Sequence, residues 1–349
     1  MRRRRRLWIV LIATPLLLVA ADTLYWHLAE RNLDDGFAAW VAEWRASGWT
    51  ATMGQPARGG WPLTATLTVP EVSLQGGDPD IPGGVAWKTD RLVLRTVLLR
   101  PGLLEIASQG MQRLRLAAGP EIPYTATLLR MTLPLERDAP PRSAVVIAHD
   151  VRAGTPAGGD AAASLTIGSL DLHLDFKPAA QAGEVALGFL FNAEAVGLPA
   201  SYGRSLGSRI SSLSLQGALD GPVPRTPAMG ERATAWRDGG GTLGIERLAI
   251  NWGPLDLTAS ATLALDEQLQ PMGTGNARVV GYAETLDALA AHGVISRSAA
   301  TAAKAVLSLL AHTPEDGGPP DVEVPLTLQY RTLSMRQVPL LRLPELDWP

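Results

Sequence analysis

The sequence predicts a mainly β protein: a large curled antiparallel sheet, or a two-layer β sandwich or groove, with a few helices and an N-terminal transmembrane helix. The first observation is the stretch WGPLDLTASATLALD at 252–266, where apolar and polar residues alternate from Leu255 onward. The same period of two recurs through most of the chain. The second observation is that 35 Gly and 27 Pro occur without a periodic pattern, which suits many short strands and turns. The third is that the helical segments are too few to cover a dozen strands, so we expect the sheet to curl on itself.

The composition limits the class of protein. The 349 residues, 46% of them hydrophobic, suffice for one large domain or two ordinary ones with a substantial core. The net charge is −3 and the dense basic run is confined to the N-terminus, so nothing indicates a nucleic-acid partner. The absence of cysteine excludes disulfides, thiolate catalysis and cysteine-ligated metals.

Residues 1–27 predict a membrane anchor or a signal sequence. MRRRRR precedes the uncharged run LWIVLIATPLLLVAA, and arginines of this kind stay on the cytoplasmic side of a membrane. We expect Leu7 to about Trp26 to form a single uncleaved span of the inner membrane, with the main domain in the periplasm. The alternative is a signal peptide cleaved after the small residues that end at Ala21.

The rest of the chain divides into two predicted parts. Residues 28–140 are expected to hold an amphipathic helix and the first β half, and residues 141–349 the second β half, with helices near 228–237 and 283–311. The boundary is placed in the loop region 138–160. The first helix carries apolar residues at helical spacing and ends at Gly48; we expect this stripe to pack on the domain, the alternative being a helix that lies on the membrane. The stripe consists of Leu33, Phe37, Trp40, Val41 and Trp44. The 283–311 segment is expected to break into two helices near Gly293.

Strands are predicted wherever the period of two is sustained. This pattern occurs at 63–74 with a change of phase at Pro70, and at 91–98, 114–116, 129–136, 170–177, 185–191, 213–219, 255–265 and 322–331. Loops are predicted at 138–142, 153–160, 221–230 and 314–320. One-sided alternation is typical of an antiparallel sheet with one covered face and one face in water.

Two catalytic-looking strings are present, and neither has the expected surroundings. Gly203 to Gly207 matches G-x-S-x-G around Ser205, and Asp256 and His292 follow in the order of a hydrolase triad. A nucleophile elbow needs a helix after the serine, whereas a strand is predicted there. The G-x-G-x-x-G string at 239–244 follows a helix and opens a strand, the reverse of a dinucleotide site. A serine hydrolase using Ser205 therefore stays a remote alternative.

Other side chains give weak signals for a site. His173 lies between Asp171 and Asp175 on a polar strand face, which allows a weak surface cation site but is more simply a solvated face. Four arginines could share one face and meet anionic headgroups, or could be ordinary outward positions; they are Arg91, Arg95, Arg113 and Arg115. We predict no catalytic residue, no metal site and no cofactor.

Three segments carry a family resemblance. They are Gly60-Trp61-Pro62-Leu63, the run AWRDGGGTLGIERLAINWGPLDLTASATLALDEQLQPMG at 235–273, and VPLTLQYRTLSMRQVPLLRLPELDWP at 324–349. The chain thereby resembles the proteobacterial envelope proteins of domain of unknown function 2125, a resemblance that implies no reaction. It is more loosely similar in architecture to AsmA-like envelope proteins, which combine one anchor with a long antiparallel sheet around an apolar groove and are implicated in moving lipid between membranes.

A sheet with one apolar face has to cover that face, either with protein or with a ligand. Our leading hypothesis is a non-enzymatic, membrane-anchored periplasmic protein that binds or hands on a lipid or another hydrophobic ligand in an apolar β groove. The alternative is a structural or assembly factor of the cell envelope whose sheet is fully packed and whose loops bind other envelope proteins.

Overall fold

The residues that the structure describes form one antiparallel sheet of seventeen strands, with four helices. This confirms the mainly β, antiparallel class that the sequence predicts, with more strands than the dozen expected. The structure, a computed structural model, describes residues 2–77, 84–117, 119–136, 141–154, 164–178, 180–199, 205–223, 229–313, 318–335 and 338–348. Within the first helix it describes the side chains of residue 14 and of residues 16 onward. The helices are α1 (Arg2–Ala46), α2 (Met229–Asp238), α3 (Tyr282–Ala291) and α4 (Arg297–Leu310).

The strands follow one another along the chain and along the sheet. They are β1 (Thr50–Thr52), β2 (Ala57–Gly59), β3 (Thr64–Gly76), β4 (Val85–Val97), β5 (Arg100–Leu116), β6 (Ile122–Thr125), β7 (Leu128–Pro134), β8 (Ser143–Ala153), β9 (Leu165–Phe176), β10 (Val185–Gly197), β11 (Arg209–Asp220), β12 (Thr242–Trp252), β13 (Leu255–Leu265), β14 (Pro271–Val280), β15 (Asp321–Gln329), β16 (Thr332–Met335) and β17 (Val338–Arg342). Both β1 and β2 pair with β3, and both β6 and β7 pair with β5 and β8. From β8 onward each strand pairs with its neighbours in sequence, so the sheet is a long meander.

The strand register places apolar residues opposite one another across the whole sheet. Directly paired residues of neighbouring strands point to the same face, so a row can be followed from strand to strand. One such row runs Leu94, Ile106, Met131, Val146, Leu172, Phe191, Leu215, Leu248, Ala259, Ala277 and Val324. We call the face that carries this row the inner face. The opposite, outer face carries the polar partners of the alternation, such as Asp171, Ser214 and Thr258.

Helix α1 packs its apolar stripe on the first strands, as expected. Leu33, Phe37 and Val41 are buried in a core cluster with residues of β1, β3 and β4. The indole of Trp26 donates a hydrogen bond of 2.9 Å to the carbonyl oxygen of Thr64 at the start of β3. The helix ends before Gly48, whose φ of 83° is readily adopted only without a Cβ. None of the helices in the described part of the chain combines the length and the apolar character needed to cross a membrane.

The predicted interruptions are also found. The change of phase at Pro70 is an irregularity in the pairing of β3 with β4: Glu71 has a φ of 52°, and the paired register runs from Pro70 opposite Arg91 to Val72 opposite Thr89, leaving out one residue on each strand. The Ala-rich segment forms α3 and α4, separated after Gly293 at a φ of 73°. Helix α2 lies at the position predicted. The four predicted loops coincide in part with 137–140, 155–163, 224–228 and 314–317, which lie outside the described residues.

Candidate functional site: an apolar cavity beneath helix α1

A cavity of about 600 Å³ lies between α1 and the inner face of β3 to β8. Its volume falls within the range of roughly 300–1,000 Å³ that is usual for small-molecule sites. The walls are built from one side of the helix and from alternate residues of the strands. They comprise Asn32, Leu33, Gly36, Phe37, Trp40, Leu74, Trp87, Leu92, Leu94, Leu104, Ile106, Ser108, Leu129, Met131, Leu133, Leu135, Pro141 and Val146.

The cavity exists because α1 lies close to β3 and stands away from the strands beyond it. Phe37 is buried against β3 and β4, whereas Met131 and Leu135, on and just after β7, remain 37% and 45% exposed. Gly36 faces this open space: apart from its chain neighbours and the backbone of its own helix, no atom of the described residues lies within 4 Å of the position that its Cβ would take. A glycine in the middle of a helix is unfavourable by about 1 kcal/mol relative to alanine. Its position here leaves a gap among Leu33, Phe37 and Trp40 on the side of α1 that faces the cavity.

The polar groups on the wall are few, and none of the wall residues is charged. Asn32 is exposed and lies at the edge, and Ser108 is half-buried. The indole N–H of Trp87 is already engaged, since it donates a 2.8 Å hydrogen bond to the hydroxyl of Tyr124. Burial raises the pKa of Tyr124, so this phenol stays neutral and keeps its place beside Trp87. Such a wall can bind a hydrocarbon chain but offers little to a polar substrate.

The serine motif lies apart from this cavity and lacks the geometry of a nucleophile elbow. Ser205 lies in a turn that leads into β11, so a strand of an antiparallel sheet follows the serine instead of a helix. Asp256 lies on β13 and His292 ends α3. Gly203 lies outside the described residues. Gly239, Gly240 and Gly241 form the turn between α2 and β12, and Gly244 lies on β12, so the string follows a helix and opens a strand as predicted.

The histidine and arginine candidates lie on the outer face. His173 is exposed on β9 with Asp171 and Asp175. Among the residues that the structure describes, no three histidines or carboxylates come together as a metal site would require. Two of the arginines face acidic side chains, with Arg95 Nε 3.8 Å from Glu105 Oε2 and Arg113 Nε 3.4 Å from Glu121 Oε1. Their charge is thus partly balanced on the sheet itself.

Sequence reasoning did not identify the cavity residues as a site. The alternation in β4, β5 and β7 placed the aliphatic side chains on a common face, but their separation from α1 could not be read from it. The available signal was Gly36, an isolated glycine inside an apolar helical pattern. An isolated glycine weakens a helix by about 1 kcal/mol relative to alanine, and here it faces open space.

The comparisons with known proteins add one finding. A family model described as "Uncharacterized protein conserved in bacteria (DUF2125)" matches residues 26–344. No curated protein and no solved structure matches the chain significantly. The match begins at Trp26 and so includes the part of α1 that covers the cavity.

Proposed function

The chain belongs to the DUF2125 family, and we propose that it is a non-enzymatic protein that binds the acyl chain of a lipid, or a similar hydrophobic ligand, in the cavity beneath α1. The observation that carries the proposal is the wall itself: eighteen residues, none of them charged, enclose about 600 Å³. The hydrophobic effect alone would hold the ligand there.

The energetics suit a flexible hydrocarbon. Each methylene that leaves water contributes about 0.8 kcal/mol, so ten methylenes in the cavity contribute about 8 kcal/mol before the cost of ordering the chain. An acyl chain has no hydrogen-bonding groups that would be left unsatisfied against Leu, Met and Val. The exposed Asn32 at the cavity edge could meet the polar end of the ligand.

The N-terminal sequence supports a location for lipid binding at the inner membrane. The arginines at 2–6 and the apolar run after them favour an anchor in the inner membrane, with the sheet in the periplasm. Since α1 is one continuous helix from Arg2 to Ala46, such an anchor would hold the cavity close to the bilayer. Fractionation of cells, together with N-terminal sequencing of the mature protein, tests this part: a protein found only in the cytosol would refute it.

The binding proposal is tested by placing a charge on either face of β7. Met131 lines the cavity, while its neighbour Thr132 points to the outer face. Photolabelling of the full chain with a diazirine-labelled palmitate should modify cavity peptides in the unchanged protein. Met131→Glu should lower this labelling at least tenfold, because an acyl chain cannot solvate a carboxylate.

Thr132→Glu is the matched control and should be labelled like the unchanged protein. Equal labelling of both variants, or an unchanged protein that captures no palmitate in the cavity, would refute lipid binding there. The second result would favour a structural or assembly role for the sheet.

A further inference from the structure

The apolar surface of the inner face does not end at the cavity. Val146 lines the cavity on β8 and is paired in register with Leu172 on β9. Leu172 is paired with Phe191, and Phe191 with Leu215. The wall of the cavity is therefore continuous with the inner face of the next strands.

Three parallel rows extend over β9 to β13. The middle row holds Leu172, Phe191, Leu215, Leu248 and Ala259; the rows beside it hold Leu170, Ala193, Leu213, Ile250 and Leu257, and Leu174, Phe189, Gly217, Ile245 and Ala261. None of these fifteen residues has a polar side-chain atom. We call this surface the apolar track.

The apolar track is not a packed core. All of its residues except Ala193 and Gly217 remain partly exposed. Of the described residues, those that form the buried core cluster lie on α1, β1, β3 and β4, and none lies on β9 to β13. A contiguous apolar surface of this extent, left partly exposed, marks a place where something binds.

The chemistry of the apolar track favours a hydrocarbon chain over a peptide as its ligand. A peptide laid across it would lose water from its N–H and C=O groups, and the track has no side chain that could replace those hydrogen bonds. A hydrocarbon chain makes no hydrogen bonds to water, so it loses none when it binds. Five strand spacings of about 4.8 Å separate β8 from β13, roughly 24 Å in all, and this exceeds the roughly 15 Å that the chains of one bilayer leaflet span.

We infer that the cavity beneath α1 is one end of a longer lipid path, and that acyl chains also occupy the apolar track over β9 to β13. This inference rests on the proposed function, because it extends the same ligand from the cavity onto the surface continuous with it. According to this inference, the protein binds more than one acyl chain at a time, and these chains lie along a route that follows the sheet.

The test maps where the diazirine-labelled palmitate reacts on the unchanged full chain. Labelled residues are expected both on the cavity strands and on the inner positions of β9 to β13, for example at Phe191 and Leu215. Labelling confined to the cavity would overturn the path and leave the proposed function intact. Labelling at neither place would overturn both.

A pair of variants tests whether the residues of the apolar track bind the acyl chain. Leu215→Glu puts a carboxylate on the track, and Ser214→Glu puts one at the neighbouring position of the outer face, opposite the uncharged Asn192 and Ala249. Leu215→Glu should lower labelling of β10 to β12 at least tenfold while the cavity is labelled as before, which also shows that the variant is folded. If Ser214→Glu has the same effect, or if neither variant has any, the path is wrong.

Discussion

Replacement of Gly36 by leucine should fill the cavity beneath α1 without weakening the helix. The Cβ of residue 36 would point into open space, with no atom of the described residues within 4 Å apart from its chain neighbours and the backbone of its own helix. Leucine is close to alanine in helix propensity, so the substitution should stabilise α1 by about 0.8–1 kcal/mol. If the same substitution raises stability and weakens binding, the weaker binding is due to the filled cavity and not to unfolding.

The loss of binding can be worked from the side chain. Leucine adds four carbon atoms, which take the place of three or four ligand methylenes. At about 0.8 kcal/mol for each methylene, the ligand loses about 2.4–3.2 kcal/mol, or roughly 50- to 200-fold in affinity. Gly36→Ala displaces one methylene and should weaken binding about fourfold by the same reasoning.

The assay is the concentration of diazirine-labelled palmitate at half-maximal photolabelling, with urea unfolding measured alongside. Ala38→Leu is the matched control, since Ala38 is exposed on α1 and does not line the cavity. Its half-maximal concentration should stay within twofold of that of the unchanged protein. If Gly36→Leu is folded and still captures palmitate as tightly as the unchanged protein, the ligand does not lie beneath α1.

Three further predictions concern the rest of the chain. Gln270 is buried and exchanges two hydrogen bonds of 2.9 Å with the backbone of Leu346, so Gln270→Ala should cost about 2 kcal/mol locally and speed exchange of the Leu346 amide roughly 30-fold. Arg278 donates a hydrogen bond to Asp321 and lowers the pKa of that carboxyl group, so this stabilisation is complete above the ordinary carboxyl pKa and is lost as the pH falls through the lowered one. In acid titrations followed by circular dichroism, Asp321→Asn should therefore be less stable at neutral pH, and its difference from the unchanged protein should shrink as the pH falls below about 4. Ser205→Ala should leave palmitate capture unchanged, because the serine lies in a turn before a strand.

Each of these has a control or a contradicting outcome. Gln268→Ala removes an exposed amide near Gln270 and should leave the exchange of Leu346 unaltered. Glu267→Gln, which removes an exposed carboxylate in the turn between β13 and β14, away from Arg278 and Asp321, should track the unchanged protein across the titration. Loss of capture in a folded Ser205→Ala protein would reopen the hydrolase hypothesis.

The alternation of the sequence predicted β3, β7, β9, β10, β11, β13, β15 and part of β4, because one face of each of these strands contacts apolar groups and the other contacts water. It predicted little of β5 and none of β1, β2, β6, β16 and β17. It did not reveal β8 as a strand. There the outer positions Val145 and Ile147 are apolar as well, so the period of two is hidden. The loop region proposed as a boundary at 138–160 thus contains β8, and the two predicted halves meet in one continuous sheet through the pairing of β7 with β8.

Strand β14 was missed for a different reason. Gly273 and Gly275 stand at its inner positions, where a Cβ would approach backbone oxygens of β13 to 2.1 and 2.4 Å. Glycine weakens a strand pattern in sequence, although here it is what allows the two strands to come together. The cavity lay beyond sequence reasoning because it depends on the distance between α1 and β7, which no local pattern encodes.

The meander connectivity has a consequence for how the molecule forms. From β8 to β17 every strand pairs with the strand that precedes it along the chain, and most of these pairs close a short loop; the two longer connections hold α2, between β11 and β12, and α3 with α4, between β14 and β15. The growing edge exposes one row of unpaired backbone groups at a time, and the next strand caps it. A chain that is threaded through a narrow passage from its N-terminus can build such a sheet as it emerges.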